Sequence, residues 1–371
     1  MKIGILSMQR VINSGSFLQA YALKKVVERL GHQVVFVDFR VNNGEHKKFS
    51  FRKRYCLHLI NNFFHKAFIG LKYTSAVRER VRQKKLFTQI YNSVCLSQLG
   101  VQSQYEYNTA VDILIFGSDE TFNTIQYVKN GYGYADELYG AHSNAKKLIT
   151  YAVSCGQTHV NDIIEIGQEE KVRNLLSRFS AFSARDINTK NFIKYFTGKD
   201  AAVHVDPVLL YDFDEIQLEP IEFEKYLLVY AYPDRIYKQC EKKAIIDFAK
   251  KKSLKIITVN MFQSWVNDNR VVHPFDMLRY FKYADYVVTD TFHGALISIK
   301  FQKKFAAFVR GNANKEKLGF LLKEFYLTER QIVSPDSLES ILELPVDRNQ
   351  LQKLIKIYQD MAIKYLSERL C

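Results

Sequence analysis

The chain has 371 residues, which as a prior corresponds to about two compact domains. Its hydrophobic fraction of 47% and aromatic fraction of 14% supply full-sized cores, and 6 prolines and 16 glycines beside 25% charged residues exclude collagen-like, low-complexity and wholly disordered chains. The 53 Lys and Arg against 39 Asp and Glu leave a net charge of +14, which points to an anionic partner: phosphate, acidic lipid or nucleic acid.

The start of the chain reads as a βαβ unit. Ile3 to Ser7 is an apolar strand, Asn13-Ser14-Gly15-Ser16 is a polar turn, and Leu18, Ala22, Leu23, Val26, Val27 and Leu30 recur at helical spacing. Gly31 supplies the helix stop, and Val34 to Phe39 is the next strand. Short apolar runs follow at Asp112 to Phe116, Leu148 to Val153, Ala181 to Ser183 and Val203 to Val205, with helical patterns at Glu169 to Arg178 and Thr189 to Phe196. Such alternation predicts a mostly parallel sheet with helices on both faces.

A second α/β series begins after Tyr211 to Glu224. Strands are expected at Leu227 to Ala231, Lys255 to Val259, Tyr286 to Thr289 and near Phe305 to Val309. Helices are expected at Tyr237 to Lys250, Phe275 to Tyr283, from His293, and over Lys315 to Phe325. The final pattern, Arg348 to Leu370, carries the stripe Leu354, Ile355, Tyr358, Met361 and Tyr365 and is expected to pack back on the body. The predicted organisation is an α/β domain over 1–210, a second over 225–345 and a C-terminal helix over 348–371.

Residues 45–85 form an insertion in the first domain. It holds twelve basic residues against the two acids Glu45 and Glu79, interleaved with Phe49, Phe51, Phe63, Phe64 and other apolar side chains. This composition suits a patch resting on an anionic membrane face or gripping an acidic, lipid-linked substrate. It equally suits a helical excursion with a solvated basic face. No nucleic-acid reading motif accompanies it, so a nucleic-acid partner is not expected.

The five cysteines, Cys56, Cys95, Cys155, Cys240 and Cys371, are odd in number and form no C-x-x-C pair. They are expected to be reduced thiols in a cytoplasmic setting, with neither a disulfide framework nor a zinc site. Met1 to Ile12 lacks the features of a signal peptide, and no run approaches the ~20 apolar residues of a spanning helix. The expectation is a soluble chain, or one peripheral at the inner face of the cell membrane.

The sharpest constellation is Thr289-Asp290-Thr291-Phe292-His293-Gly294, where an apolar strand ends and a helix begins. In an open α/β sheet ligands bind there, against a helix N-terminus that favours anions. The N–H groups of Phe292, His293 and Gly294, with the hydroxyls of Thr289 and Thr291, are candidate donors, and the His293 imidazole is a candidate proton carrier. The same residues also fit an ordinary helix start with a structural histidine.

Gly117-Ser118-Asp119-Glu120-Thr121-Phe122-Asn123 follows a buried strand, so Ser118, Asp119 and Asn123 are candidates for sugar hydroxyls or for orienting a base; a capped helix start is the plainer alternative. The turn holding Asn13 and Gly15 is too short for a phosphate loop of the Walker type. In Ser183-Ala184-Arg185-Asp186, Arg185 is a candidate bidentate ligand of a carboxylate or phosphate, or else a surface ion pair. Asp206-Pro207 reads as architectural. No H-E-x-x-H, D-x-D, G-x-S-x-G or cysteine cluster supports metal or serine-hydrolase chemistry.

In order and spacing these segments resemble the polysaccharide pyruvyl transferase family. The matching stretches are Asn13-Ser-Gly15 with Leu18-Gln-Ala-Tyr-Ala-Leu23, Phe116-Gly-Ser-Asp119 through Asn123, Thr150-Tyr-Ala-Val-Ser-Cys-Gly156, Ser183-Ala-Arg185-Asp186, Val205-Asp206-Pro207-Val-Leu-Leu210 and Ala284 through Gly294. The resemblance implies two Rossmann-like domains facing across a cleft, as in GT-B glycosyltransferases. It also implies transfer of the enolpyruvyl group of phosphoenolpyruvate to a sugar of a cell-surface glycan or its precursor, giving a pyruvate ketal, with no cofactor or metal.

By the resemblance His293 is the general acid or phosphate ligand and Arg185 holds the carboxylate or phosphate, while Asn13, Ser118, Asp119 and Asn123 line the acceptor side. The chain departs from the family pattern at Ser14, Glu120-Thr121-Phe122 and Thr291, the last being an arginine in some members. Two other functions stay open at this point: a nucleotide-sugar-dependent glycosyltransferase using the same cleft, and a non-catalytic membrane-associated scaffold of glycan assembly.

Overall fold

The computed structural model describes residues 1–38, 74–102, 104–126, 134–220, 224–233 and 235–371. Most of the basic insertion, 45–73, lies outside the described residues, as does Cys56.

The first sheet contains β1 (Lys2–Leu6), β2 (Gln33–Phe36), β3 (Ile113–Phe116), β4 (Lys147–Thr150) and β5 (Phe179–Ala181) in the order β2-β1-β3-β4-β5, with every pairing parallel. β3 reads Ile-Leu-Ile-Phe and is buried throughout, as expected for a strand covered on both faces. After β5 the chain kinks at Phe182 into β6 (Ser183–Ala184), which pairs with β7 (Ala202–Val203). The expected single strand from Ala181 to Ser183 is therefore two short ones. The expected strand to Val153 stops at Thr150, and Ala152 takes φ +44°.

The second sheet contains β8 (Tyr226–Tyr230), β9 (Lys255–Val259), β10 (Asp268–Arg270), β11 (Tyr286–Thr289) and β12 (Lys304–Ala307) in the order β10-β9-β8-β11-β12, again all parallel. β10 is Asp-Asn-Arg at the edge, too polar and short to show in the hydrophobic pattern.

Two helices start at the strand ends that matter for function. α1 (Ser14–Arg29) follows β1 and is capped by Asn13, whose Oδ1 accepts from the N–H groups of Gly15 (2.8 Å) and Ser16 (3.2 Å). The helix Phe292–Lys300 follows β11 and is capped by Thr291, whose hydroxyl accepts from Gly294 N–H at 2.9 Å. α1 is buried along its first turn, whereas Phe292 and His293 are partly exposed and burial of the second helix starts at Gly294.

The two sheets share one apolar core. Phe17 and Tyr21 of α1 meet Phe275 at ring distances of 5.3 and 4.9 Å, and Tyr21 stacks on Phe213 at 6.3 Å. Each such pair contributes roughly 0.5–1.5 kcal/mol beyond its buried area.

The C-terminal helix, Arg348–Arg369, returns to the first sheet: Tyr365 donates to the Thr150 carbonyl at 2.9 Å, and Gln359 donates to the Leu209 carbonyl at 2.7 Å. Its buried line is Leu351, Ala362, Tyr365 and Leu366, and Met361, expected in the stripe, is 47% exposed. Among the described residues no helix is long and apolar enough to cross a membrane.

Candidate active site

Each sheet reverses its strand order once, between β1 and β3 in the first and between β8 and β11 in the second. Loops leaving such strand ends form the crevice of an open α/β sheet. The turn at Asn13, the loop at Ser118 and Asp119, and the Thr289–Gly294 segment all leave those strand ends, and they meet. The His293 ring lies on Gly15, where any Cβ would collide with the imidazole. Asn260, after β9, donates to the Ser14 hydroxyl at 3.0 Å.

Arg185 and Asp206 reach the same place by lateral extension of the first sheet. Single bridges join Asp119 to Val153 and Val153 to Ala184, and His204 N–H donates to the Ala184 carbonyl at 2.9 Å. This parallel succession sets Asp119, Arg185 and Asp206 side by side above the strand ends.

Asp206 is the central carboxylate. Its Oδ1 accepts from Val208 N–H at 3.1 Å, and its Oδ2 takes Arg185 Nη1 at 3.0 Å and lies 3.7 Å from His293 Nε2. The sequence reading of Asp206 as purely architectural is corrected by these contacts. Arg185 is buried, not on the surface, and its nearest acids are Asp206 and, at 3.8 Å, Asp119 rather than the adjacent Asp186. Its guanidinium stands 4.6 Å from the Phe292 ring centre, a cation–π contact between the two halves of the molecule.

Burial pushes the Asp206 carboxyl upward, and His293 and Arg185 reverse this and hold it below the usual carboxylate range. Burial also works against the Arg185 charge, but Asp206, Asp119 and Glu120 raise its pKa further. At 3.7 Å the His293–Asp206 contact is too long for a hydrogen bond, and His293 Nε2 has no hydrogen-bond partner among the described residues. A buried imidazole nitrogen beside a carboxylate, without a fixed partner, is a group placed to give or take a proton.

The other candidates are more committed. Thr289 donates to the Tyr230 carbonyl at 2.6 Å and Thr291 caps its helix, so these hydroxyls and Gly294 N–H hold the loop and are not the open donors expected. Gly294 has no room for a Cβ, which would strike Thr289 and Thr291. Asp290, given no role by the sequence, ties the loop after β8 by accepting from Tyr232 N–H at 2.8 Å, and its carboxyl is raised by burial.

Ser118 is fully buried and donates to Gln19 at 2.6 Å, and no capped helix starts there. Asp119 accepts from the Ser16 hydroxyl at 2.7 Å. Asn123 is buried between Glu120 and Thr158. Two residues that the sequence reading passed over complete the cluster: Glu120 and Lys317 pair across the two halves of the molecule. Lys317 sits in an ordinary basic helical pattern, and nothing local in the sequence marks it.

Solved structures similar to this chain include UDP-GlcNAc 2-epimerase from Neisseria meningitidis bound to UDP-GlcNAc, at 12% identity and TM-score 0.48, covering 100% of this chain and 99% of that one. The glycosyltransferase SnogD from Streptomyces nogalater is similar at 9% identity and TM-score 0.47, covering 100% and 98%. No curated protein matches the sequence. The family model described as polysaccharide pyruvyl transferase matches residues 13–312, a span that runs from the cap of α1 past His293. That match covers more than half of the chain, and the chain belongs to the polysaccharide pyruvyl transferases.

Proposed function

We propose that this transferase moves the enolpyruvyl group of phosphoenolpyruvate onto a sugar of a cell-surface polysaccharide or of its lipid-linked precursor. The observation that carries the reading is the convergence of Arg185 and His293 on Asp206 between the two strand-order reversals. Phosphoenolpyruvate brings a phosphate and a carboxylate on C2 and a nucleophilic methylene carbon. Arg185 suits either anion as a fork of parallel donors.

In the proposed reaction His293 delivers a proton to the methylene carbon, which becomes the ketal methyl. One sugar hydroxyl adds to C2, the C2–O bond to phosphate breaks, and a second hydroxyl closes the ketal. The two hydroxyl protons balance the proton gained by carbon and the one released with phosphate. Asp119 is the carboxylate placed to orient the acceptor hydroxyls, since Ser16 fixes it beside Arg185.

The reading places the protein in the cytoplasm, peripheral to an anionic membrane face. The support is the composition of 45–85 and, among described residues, the exposed Arg78, Arg80, Arg82, Lys84 and Lys85 of the helix Thr74–Ile90.

The experiment is a reaction in heavy water with phosphoenolpyruvate and the glycan fraction of the source cells, followed by NMR. A ketal methyl carrying one deuterium, formed at least 100-fold more slowly by His293→Asn, is the expected result. Equal rates for wild type and His293→Asn would remove His293 from proton transfer.

A further inference from the structure

One charge pair at the mouth of this site has no part in the reaction as written. Lys317 lies in the π-helical turn Lys315–Gly319 of the second half, and its ammonium pairs with Glu120 of the loop after β3. The other Glu120 oxygen accepts from Asn123 Nδ2 at 2.5 Å. Both side chains lie on Gly156, at φ +59°, where a Cβ would collide with Asn123 and press on Glu120. The same π-helical turn sends Glu316 to within 3.7 Å of His159 Nε2, so two polar contacts join the halves at this rim.

Three carboxylates, Asp119, Glu120 and Asp206, therefore crowd a site that is to receive a multiply charged anion. They are not equally exposed. Asp206 is fully buried and held by Arg185, His293 and a backbone N–H, and Asp119 is buried and held by Ser16. Glu120 has the longest side chain and is 26% exposed, against 13% for Lys317. Burial raises the Glu120 carboxyl, but Lys317 above all, with Arg185 and Asn123, pulls it down to about 2, so it is ionised at neutral pH.

A cation at the edge of an anion site, covered by the most exposed of the three acids, is a binding group held in reserve. We propose that Lys317 is a further ligand of the donor's phosphate or carboxylate and that Glu120 is its placeholder, displaced as the anion enters. The proposal rests on the reading of this crevice as the donor site. It makes the Glu120–Lys317 contact a competitor of the substrate anion and a reporter of its arrival.

Calorimetric titration of the full chain with phosphoenolpyruvate and, separately, with inorganic phosphate tests it. Glu120→Gln keeps an acceptor for Asn123 but removes the competing charge, and should tighten both ligands on the order of tenfold. Lys317→Met should weaken both by about tenfold or more, Lys317→Arg should retain binding, and Glu120→Gln should give no gain in the Lys317→Met background. Circular dichroism and the Tm of each variant confirm folding.

Unchanged or weaker binding by folded Glu120→Gln, or wild-type binding by Lys317→Met, overturns the proposal while leaving the donor reading in place. Binding of inorganic phosphate but not of phosphoenolpyruvate, with the variant effects intact, overturns the donor reading and keeps Lys317 as an anion ligand. Absence of binding of either probe to wild type and Glu120→Gln overturns the proposal itself.

Discussion

His204 stands next but one to the central carboxylate and shows how burial shapes single groups here. It lies between the rings of Tyr151 and Tyr365, at 6.0 and 4.7 Å, with Nδ1 2.8 Å from the Ser183 hydroxyl, and desolvation lowers its pKa to about 4. An unfolded histidine titrates near 6.5, so between about pH 6.5 and 4 the unfolded chain binds the extra proton. Stability from neutral His204 is then fully present above pH 6.5 and is lost as pH falls toward 4, by up to about 3 kcal/mol. Denaturant unfolding across that window should show a shallower pH dependence in His204→Gln than in wild type, and parallel curves would rule out this role. Residues of this kind are half legible in sequence. Arg185 and His293 stand out because each follows an apolar run, whereas Asp206, in the same position after Val205, reads with Pro207 as architectural, the place where the chain leaves the first domain. Its contacts with residues 21 and 87 positions away arise only when β6 and β7 pair and the second sheet docks.

At the scale of elements, the strands legible in the sequence are those buried on both faces, such as β3, β8 and β11, because parallel pairing demands continuous apolar runs. The kink at Phe182 and the polar edge strand Asp268–Arg270 carry no such run, since lateral pairing rather than hydrophobic period sets them. The helix Thr74–Ile90 shows a different limit. Gln83 and Phe87 are buried while Val77 and Val81 are about half exposed or more among Arg78, Arg80, Arg82, Lys84 and Lys85. That outward face suits an anionic surface, with the valines entering the headgroup layer. Sedimentation with vesicles containing an anionic lipid should be strong at low salt, weaken at physiological salt and fall several-fold when Arg78, Arg82, Lys84 and Lys85 are changed to Gln. Binding that ignores salt and the four substitutions would contradict a membrane role for this helix.

For the whole molecule, two doubly wound sheets are set so that their points of strand reversal face each other, and the charge of the chain is concentrated differently from its overall +14. Within the crevice the cations Arg185 and Lys317 are each covered by acids, so the site holds its own counter-ions until an anion replaces them. Breaking the buried Arg185–Asp206 pair by removing one partner should be costly, about 3–5 kcal/mol, because the other charge stays buried. This is why ligand binding by Arg185→Ala is informative only alongside a measured Tm, and why Arg185→Lys serves as the companion: it keeps the charge but loses the bidentate fork. The arrangement of two sheets was legible from the alternation of apolar strands and helical patterns, but the meeting of Gly15 with His293 depends on contacts nearly the whole chain apart. The most direct measurement is titration of the folded protein with phosphoenolpyruvate and with UDP, on wild type and Arg185→Lys. Saturable binding of phosphoenolpyruvate, weakened at least tenfold in Arg185→Lys and not matched by UDP, is the predicted result. Tight binding of UDP with none of phosphoenolpyruvate would contradict the account.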